Sequence, residues 1–212
     1  MSLKDEPRWL PIAPWLFLFV WSAGYGVAKL ALESTTPLNL LALRFVGATL
    51  VLLPFVCMFR PSWPSRQTFF DLLIVATLLQ LGYFFCIYVG LALGASAGVM
   101  ALFAASQPVL IGIVASLINR RIPSVRIWVG LLTGLTGASW VIFVQGHFSD
   151  GALLGAVLGF VAVISLSCGQ VYDKRQRPEC HPLMIYVIQY TFASIVSVAM
   201  ALFFEGYQTV WS

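Results

Sequence analysis

Charged residues are scarce in this sequence: aspartate, glutamate, lysine and arginine together make up 9% of its 212 residues. A soluble globular domain carries about 25% charged residues. Hydrophobic residues make up 60% of the chain and fall in long blocks, and a soluble fold could not bury that much apolar surface. The shortage of charge therefore excludes the ordinary soluble classes and indicates a chain that lies largely within a lipid bilayer.

Several chemical motifs are also missing. The chain has two histidines and four cysteines, and none of them has the CxxC or Cys/His spacing of a metal site. It contains no GxxxxGK[ST] loop for nucleotide phosphates and no HExxH or GxSxG motif. No carboxylate lies deep in an apolar block, so a proton relay through carboxylates is not predicted. We therefore expect no enzyme activity, no metal or other cofactor, and no direct use of ATP.

Seven apolar blocks are long enough to cross a bilayer as helices. A hydrocarbon core of roughly 30 Å requires about 20 helical residues. Backbone groups in lipid are satisfied only in helices or closed barrels, and these blocks are about twice as long as a barrel strand. The blocks are residues 11–31, 37–58, 69–91, 97–118, 127–145, 151–172 and 183–204. The sequence therefore predicts an all-α integral membrane bundle with about seven transmembrane helices.

The basic residues predict the orientation of these helices. With a cytosolic N-terminus, ten of the twelve basic residues lie on the cytosolic side: Lys4, Arg8, Arg60, Arg66, Arg120, Arg121, Arg126, Lys174, Arg175 and Arg177. The opposite loops contain no lysine or arginine, as the positive-inside rule requires. The net charge of +4 then reflects this rule and some attraction to anionic membrane lipids, so we expect no nucleic-acid partner. We expect a location in the plasma (inner) membrane.

A weak internal repeat relates the beginning of the chain to its end. Sliding the sequence by 145 positions superimposes predicted helix one on six and two on seven without a gap. The register pairs Ser22 with Ser167, Gly24 with Gly169, Lys29 with Lys174, Pro37 with Pro182, Arg44 with Gln189 and Phe45 with Tyr190. Because five crossings separate the copies, they would be inverted in the membrane, an arrangement typical of secondary transporters. Identity is low, so a chance match is the alternative.

Two segments resemble a known family. Residues 21–30 (WSAGYGVAKL) followed by 37–45 (PLNLLALRF) are similar to the first two helices of EamA-domain proteins of the drug/metabolite transporter superfamily. Residues 95–102 and 106–110 resemble the fourth helix of that domain, and the resemblance extends over the whole chain. It implies ten helices in two five-helix inverted repeats. Residues 1–148 would then form the first repeat, and 149–212 the first two helices of an incomplete second repeat.

The resemblance also implies a function. It predicts a secondary transporter, an exporter of small metabolites such as amino acids or related organic compounds, that works by alternating access at the interface of the repeats. The sequence differs from the family at Asn119, where the family commonly has an acidic residue. A role of that carboxylate therefore cannot be assigned to this chain. An inactive, truncated carrier fragment and a seven-helix receptor are the alternatives, and a homo-oligomer is left open.

Polar side chains within the spans are the candidate residues of a substrate pathway. Arg44 lies seven residues into the second block, roughly 10 Å deep, where an ionised group costs about 2.5 to 3.5 kcal/mol. Lys29 lies near the same side and would add to a positive potential suited to carboxylates, although it can also extend to the interface. The candidates are Trp21, Tyr25, Lys29, Arg44, Gln80, Tyr83, Ser106, Gln107 and Gln189. Hydrogen bonding or packing between helices is the alternative for each.

Backbone features give two further expectations. Pro108 follows Gln107 and predicts a kink in the fourth helix, because proline lacks the N–H that closes the helical turn. Gly151, Gly155 and Gly159 repeat at the four-residue spacing that lets helix backbones approach closely, as do Gly130 and Gly134. We expect these glycines to serve packing within the bundle or between protomers.

Overall fold

The computed structural model describes residues 12–119, 124–126, 128–130, 132–133, 136–137, 140, 150–176 and 180–206, and all regular structure within them is helical. The helices are α1 (Ala13–Ala31), α2 (Pro37–Phe59), α3 (Arg66–Ala76), α4 (Tyr83–Ala92), α5 (Ala97–Ala105), α6 (Gln107–Asn119), α7 (Asp150–Gln176) and α8 (Pro182–Phe204). A π-helical segment, Thr77–Gly82, joins α3 to α4. The predicted all-α class is confirmed.

Five stretches of the described residues are long and apolar enough to cross a bilayer. They are Pro37–Phe59, Arg66–Ala92, Ala97–Val114, Leu153–Gln176 and Pro182–Phe204. These stretches coincide with predicted helices two, three, four, six and seven to within a few residues, so the chain is an integral membrane helical bundle. Helix α1 coincides with the first predicted block. The fifth predicted helix, 127–145, lies mostly outside the described residues, so the count of seven stays a prediction.

Local sequence explains where the helices begin. Pro37 and Pro182 stand in the first turns of α2 and α8, where the missing N–H removes no helical hydrogen bond. The Ser96 hydroxyl accepts a hydrogen bond from the backbone N–H of Val99 at 3.1 Å and caps α5, because a serine oxygen satisfies one of the free donors of the first turn. Turn chemistry therefore sets these boundaries, while apolar length sets the spans.

Two of the spans are irregular in the middle. The third span widens into the π segment, and Ser165 on α7 donates a hydrogen bond to the Leu78 carbonyl there at 2.8 Å. Such segments are rare and occur frequently at functional sites. The fourth span breaks at Ser106, between α5 and α6, two residues before Pro108. This interruption lies in the region where Pro108 predicts a kink, and the bend itself stays a prediction.

Close helix packing positions α4 and α7 against each other. A Cβ atom added at Gly155 would lie 2.5 Å from the Gly90 carbonyl oxygen and 2.8 Å from the Ala95 Cβ. One added at Gly159 would lie 2.8 Å from Met100. The packing role predicted for Gly155 and Gly159 is therefore confirmed within the bundle. Helices α2 and α8 form the most extensive helix pair in the described part of the chain.

Hydrogen bonds identify the two ends of the bundle. At one end, the side chains of Tyr172 and Gln176 on α7 donate to Asp71 on α3, at 2.7 and 3.3 Å. Arg66 begins α3 at this end, and Lys174 lies in the last turn of α7. We call it the basic end. The opposite end, which we call the outer end, holds the end of α1 and the beginning of α2.

Candidate functional site

A cavity of about 220 Å³ opens between α1, α2 and α4. Its walls are formed by Val20, Trp21, Gly24, Tyr25, Ala28, Arg44, Tyr83, Phe84, Ile87 and Tyr88. The volume lies below the roughly 300 to 1,000 Å³ of sites for drug-sized ligands, so the cavity suits a smaller solute. Since Tyr25 lies six residues before the end of α1, about 9 Å at helical rise, the cavity occupies the half of the bundle near the outer end.

Arg44 supplies the positive charge of this cavity. Its guanidinium carbon lies 3.8 Å from the centroid of the Phe84 ring, a distance that gives an attractive cation–π contact. Its Nη1 donates a hydrogen bond to the Tyr88 hydroxyl at 3.1 Å. Within the described residues no carboxylate pairs with Arg44. The cavity therefore contains a cation that is positioned by two neutral side chains, and no anionic group among the described residues neutralises its charge.

Aromatic side chains form a continuous wall beside Arg44. The hydroxyls of Tyr25 on α1 and Tyr83 on α4 are hydrogen-bonded to each other, and both side chains are buried. The Trp21 ring stacks against Tyr83 with centroids 6.5 Å apart, and Tyr83 meets Phe84 edge to face at 4.8 Å. Edge-to-face and offset stacked ring pairs stabilise a structure by more than the burial of their apolar area alone. The wall therefore runs from α1 to the ring beneath Arg44.

Lys29, the second predicted cation, lies outside the cavity walls. Its ammonium donates to the carbonyl oxygens of Leu91 at 2.9 Å and Ala95 at 3.3 Å. These carbonyls lie at the C-terminal end of α4 and in the following turn, where a positive charge is favoured. The structure therefore uses Lys29 to tie α1 to α4 near the outer end, and it does not bring the Lys29 ammonium together with Arg44.

Four other candidates also lie away from the cavity walls. Gln80 is buried in the π segment and Gln189 is buried on α8. The Ser106 hydroxyl donates to the Phe103 carbonyl at 2.6 Å in the break between α5 and α6, and Gln107 begins α6, half-buried. Of the nine predicted residues, Trp21, Tyr25, Arg44 and Tyr83 line the cavity together. A pathway role for the other candidates stays a prediction.

Sequence reasoning missed Phe84 and Tyr88, the two residues that hold Arg44. Aromatic residues make up 14% of the sequence, so an aromatic side chain within a span does not by itself indicate a site. A signal was present, because positions 84 and 88 are four residues apart and share one helix face. Spacing alone does not reveal that Arg44 of another helix lies over that face.

Two contacts between α2 and α8 join residues that are 145 positions apart. The hydroxyls of Thr49 and Ser194 are hydrogen-bonded at 3.0 Å, and the rings of Phe45 and Tyr190 have centroids 5.9 Å apart. This separation equals the offset of the sequence repeat. Where a two-fold axis relates two surfaces, residues near the axis contact their own copies.

Glu205, at the end of α8, is bonded to the beginning of α2. Its carboxylate accepts hydrogen bonds from the backbone N–H groups of Leu38 and Asn39, both at 3.1 Å, and from the Thr36 hydroxyl. The first N–H groups of a helix have no partner within the helix, and the helix dipole favours an anion there. Glu205 therefore joins α8 to α2 at the outer end of the bundle.

Comparison with known proteins agrees with the class that the helices and the cavity define, a polytopic membrane protein with a small, mainly aromatic cavity that Arg44 also lines. Residues 12–143 match the EamA-like transporter family. The chain belongs to this family, and the matched residues fall within the predicted first repeat, 1–148.

Two relatives carry names that describe them as uncharacterized transporters. The chain is 26% identical over 168 residues to the "Uncharacterized inner membrane transporter YedA" of Escherichia coli (strain K12), which covers 78% of this chain and 54% of YedA. It is 24% identical over 216 residues to the "Uncharacterized transporter YvbV" of Bacillus subtilis (strain 168), covering 98% of this chain and 68% of YvbV. The chain thus spans about half the length of YedA. No solved structure matches it.

Proposed function

We propose that this chain belongs to a secondary transporter that exports small metabolites, amino acids or related organic acids, and that Arg44 binds the carboxylate of the solute. The observation that carries this proposal is the Arg44 guanidinium at the cavity wall. Its side chain is exposed in the described structure, lies over the Phe84 ring and donates to Tyr88, and it has no carboxylate partner among the described residues. A cation inside a membrane span is costly. An anionic solute in the cavity would offset that cost.

The remaining walls suit the rest of such a solute. Guanidinium groups present N–H donors in a planar fork that matches the two oxygens of a carboxylate. The faces of Trp21, Tyr83 and Phe84 offer apolar surface beside this fork. A small cavity with a few convergent polar groups among aromatic side chains is the usual form of a metabolite site. Export is the direction that the family resemblance implies.

We also propose that transport proceeds by alternating access between two inverted repeats, the first formed by residues 1–148 and the second begun by 149–212. The contacts between residues 145 apart on α2 and α8 support this arrangement. Arg44 precedes Phe45, whose ring meets its proposed counterpart Tyr190. The substrate site would therefore lie beside the repeat interface, where transporters built from inverted repeats place it.

Efflux from proteoliposomes tests the function. Vesicles containing the protein would be loaded with a panel of labelled amino acids and small carboxylic acids, and the rate at which each solute leaves would be measured. We expect at least one carboxylate solute to leave faster than from protein-free vesicles. We expect Arg44→Gln to slow that efflux about tenfold or more, because one charge-assisted hydrogen bond contributes about 1.5 to 3 kcal/mol.

The matched control is Arg66→Gln. Arg66 lies 5.9 Å from the Phe70 ring at the basic end of the bundle, so this variant removes the same charge and a similar cation–π contact outside the cavity. Its efflux should equal that of the wild type. Efflux no faster than from empty vesicles for every solute, or an Arg44→Gln variant as fast as the wild type, would overturn the proposal.

A further inference from the structure

Tyr88 holds a hydrogen-bond donor that the described residues do not use. Its side chain is 4% exposed and lines the cavity. Arginine has no acceptor atom, so the Tyr88 hydroxyl must accept the bond from Arg44 and keep its own proton for another partner. No such partner occurs among the residues that the structure describes. Because Tyr88 lines the cavity, an oxygen atom of a bound solute could accept this proton.

Phe84 fixes the guanidinium beside this donor. The Arg44 side chain lies on one face of the Phe84 ring, and that ring is in turn held edge to face by Tyr83 at 4.8 Å and Phe45 at 6.0 Å. A guanidinium that lies over a ring packed by two other rings is restricted in its position, and with it the direction of its N–H groups. Donors held in their binding geometry lose less entropy when the ligand arrives.

From this geometry we propose that Arg44 and Tyr88 form a two-donor clamp for one carboxylate, and that Tyr88 determines the preference for a carboxylate over a neutral amide. The inference rests on the proposed function, since it assumes an anionic solute in the cavity. Arg44 would donate N–H bonds and Tyr88 its O–H bond to the two carboxylate oxygens. An amide of the same shape has one acceptor oxygen and an NH₂ group, so it would leave one of the clamp donors facing another donor.

Phenylacetate and phenylacetamide are suitable probes, because they have the same phenyl and methylene groups and differ only in the carboxylate or amide that the clamp would bind. Their binding to the full chain in detergent would be measured by isothermal titration calorimetry. We expect the wild type to bind phenylacetate about tenfold or more tightly than the amide. Tyr88→Phe should weaken phenylacetate binding about tenfold and change phenylacetamide binding less than twofold, since only the carboxylate accepts the hydroxyl proton.

Two further variants separate a donor role from a structural one. Tyr172→Phe removes a tyrosine hydroxyl that is bonded to Asp71 outside the cavity, and it should leave both affinities unchanged. Phe84→Leu keeps an apolar side chain but removes the ring beneath Arg44. This variant should lose part of the preference for phenylacetate, which keeps the clamp testable if Tyr88→Phe does not fold.

The outcomes distinguish this inference from the proposed function. If Arg44→Gln abolishes the preference for phenylacetate while Tyr88→Phe retains it in full, the clamp is wrong and the anion site stands. An equal loss of both probes in Tyr88→Phe would show that the residue only shapes the cavity, which also overturns the clamp. A wild type without any preference for phenylacetate would overturn the anion site and the clamp together.

Discussion

At the scale of single residues, Glu205 shows how one side chain can join two spans. Its carboxylate accepts two backbone N–H groups and one hydroxyl at the beginning of α2. An acidic group at a helix N-terminus stabilises the helix by about 0.3 to 1 kcal/mol, and by about 2 kcal/mol where it is partly buried. Because this helix start belongs to another span, the same contact also holds α8 against α2.

Replacement of Glu205 should therefore lower stability. We expect Glu205→Ala to lower the free energy of unfolding by about 1 to 2 kcal/mol, since it removes both the charge and the acceptor. Glu205→Gln keeps an acceptor and should lose less. Thermal unfolding in detergent, followed by circular dichroism, would measure the change in Tm. Glu33→Ala is the control, because Glu33 is exposed in the loop that leads to α2. A Tm for Glu205→Ala equal to that of Glu33→Ala would contradict the prediction.

The sequence predicted those cavity residues that carry a charge or a polar group within a membrane span. Arg44 was predicted because a charge roughly 10 Å deep in a span is costly, and Tyr25 and Tyr83 were predicted as polar side chains within the spans. Tyr88 carries the same chemical signal as these two tyrosines, yet its value to the site depends on the position of Arg44 in another helix. The role of Lys29 as a tie to Leu91 also depends on tertiary contact, so the pattern could not separate it from a pathway role.

At the scale of helices, the sequence predicted the spans but not their irregularities. The length of an apolar block defines a span, whereas the π segment Thr77–Gly82 is a local widening of the helix within a mainly apolar block. No hydrophobic period marks that widening. The interruption at Ser106 lies near Pro108, where the missing N–H of proline predicts a kink. An irregularity with a local chemical cause can therefore be predicted from the sequence. The π segment cannot, because Ser165 of another helix bonds to its Leu78 carbonyl.

The pairing of α2 with α8 can be tested by a cross-link. The Thr49 and Ser194 oxygens are 3.0 Å apart, so cysteines at these positions should approach disulfide distance. In a background without Cys57, Cys86, Cys168 and Cys180, we expect the Thr49→Cys and Ser194→Cys pair to cross-link under mild oxidation. Protease cleavage at a site introduced into the loop between α2 and α3, followed by electrophoresis, would detect the link, because only a cross-link would then hold the two fragments together.

The control for this cross-link pairs Thr49→Cys with Ile195→Cys. Ile195 is the next residue of α8 and is 65% exposed, so its side chain points away from α2 and should not cross-link. Equal yields from the two pairs would contradict the register of α2 against α8. The offset of 145 would then lose its structural support, and with it the proposed inverted repeat.

At the scale of the whole molecule, composition determined more of the outcome than any motif did. A low content of charge and long apolar blocks were sufficient for the membrane class, because the bilayer sets the length and backbone bonding of every span. The family match over residues 12–143 and the relatives named as transporters agree with that class. The identity of the solute cannot be predicted in this way, because the chemistry of a few side chains selects the solute and the fold does not.

The two ends of the bundle make the predicted orientation in the membrane testable at single residues. Arg60, Arg66 and Lys174 lie at the basic end, which the positive-inside rule assigns to the cytosol. We therefore expect Ser62→Cys, in the loop between α2 and α3, to react with a membrane-impermeant maleimide only after the cells are opened. Ser34→Cys, in the exposed loop between α1 and α2, should react in intact cells.

A cysteine-free background provides the baseline, and a membrane-permeant maleimide confirms that both introduced cysteines are reactive. If Ser62→Cys is labelled in intact cells and Ser34→Cys is not, the bundle is inserted with the opposite orientation. The cavity would then lie in the cytosolic half, and Arg44 would meet the exported solute on entry instead of on release. The result therefore decides from which side of the membrane the proposed anion site is first reached.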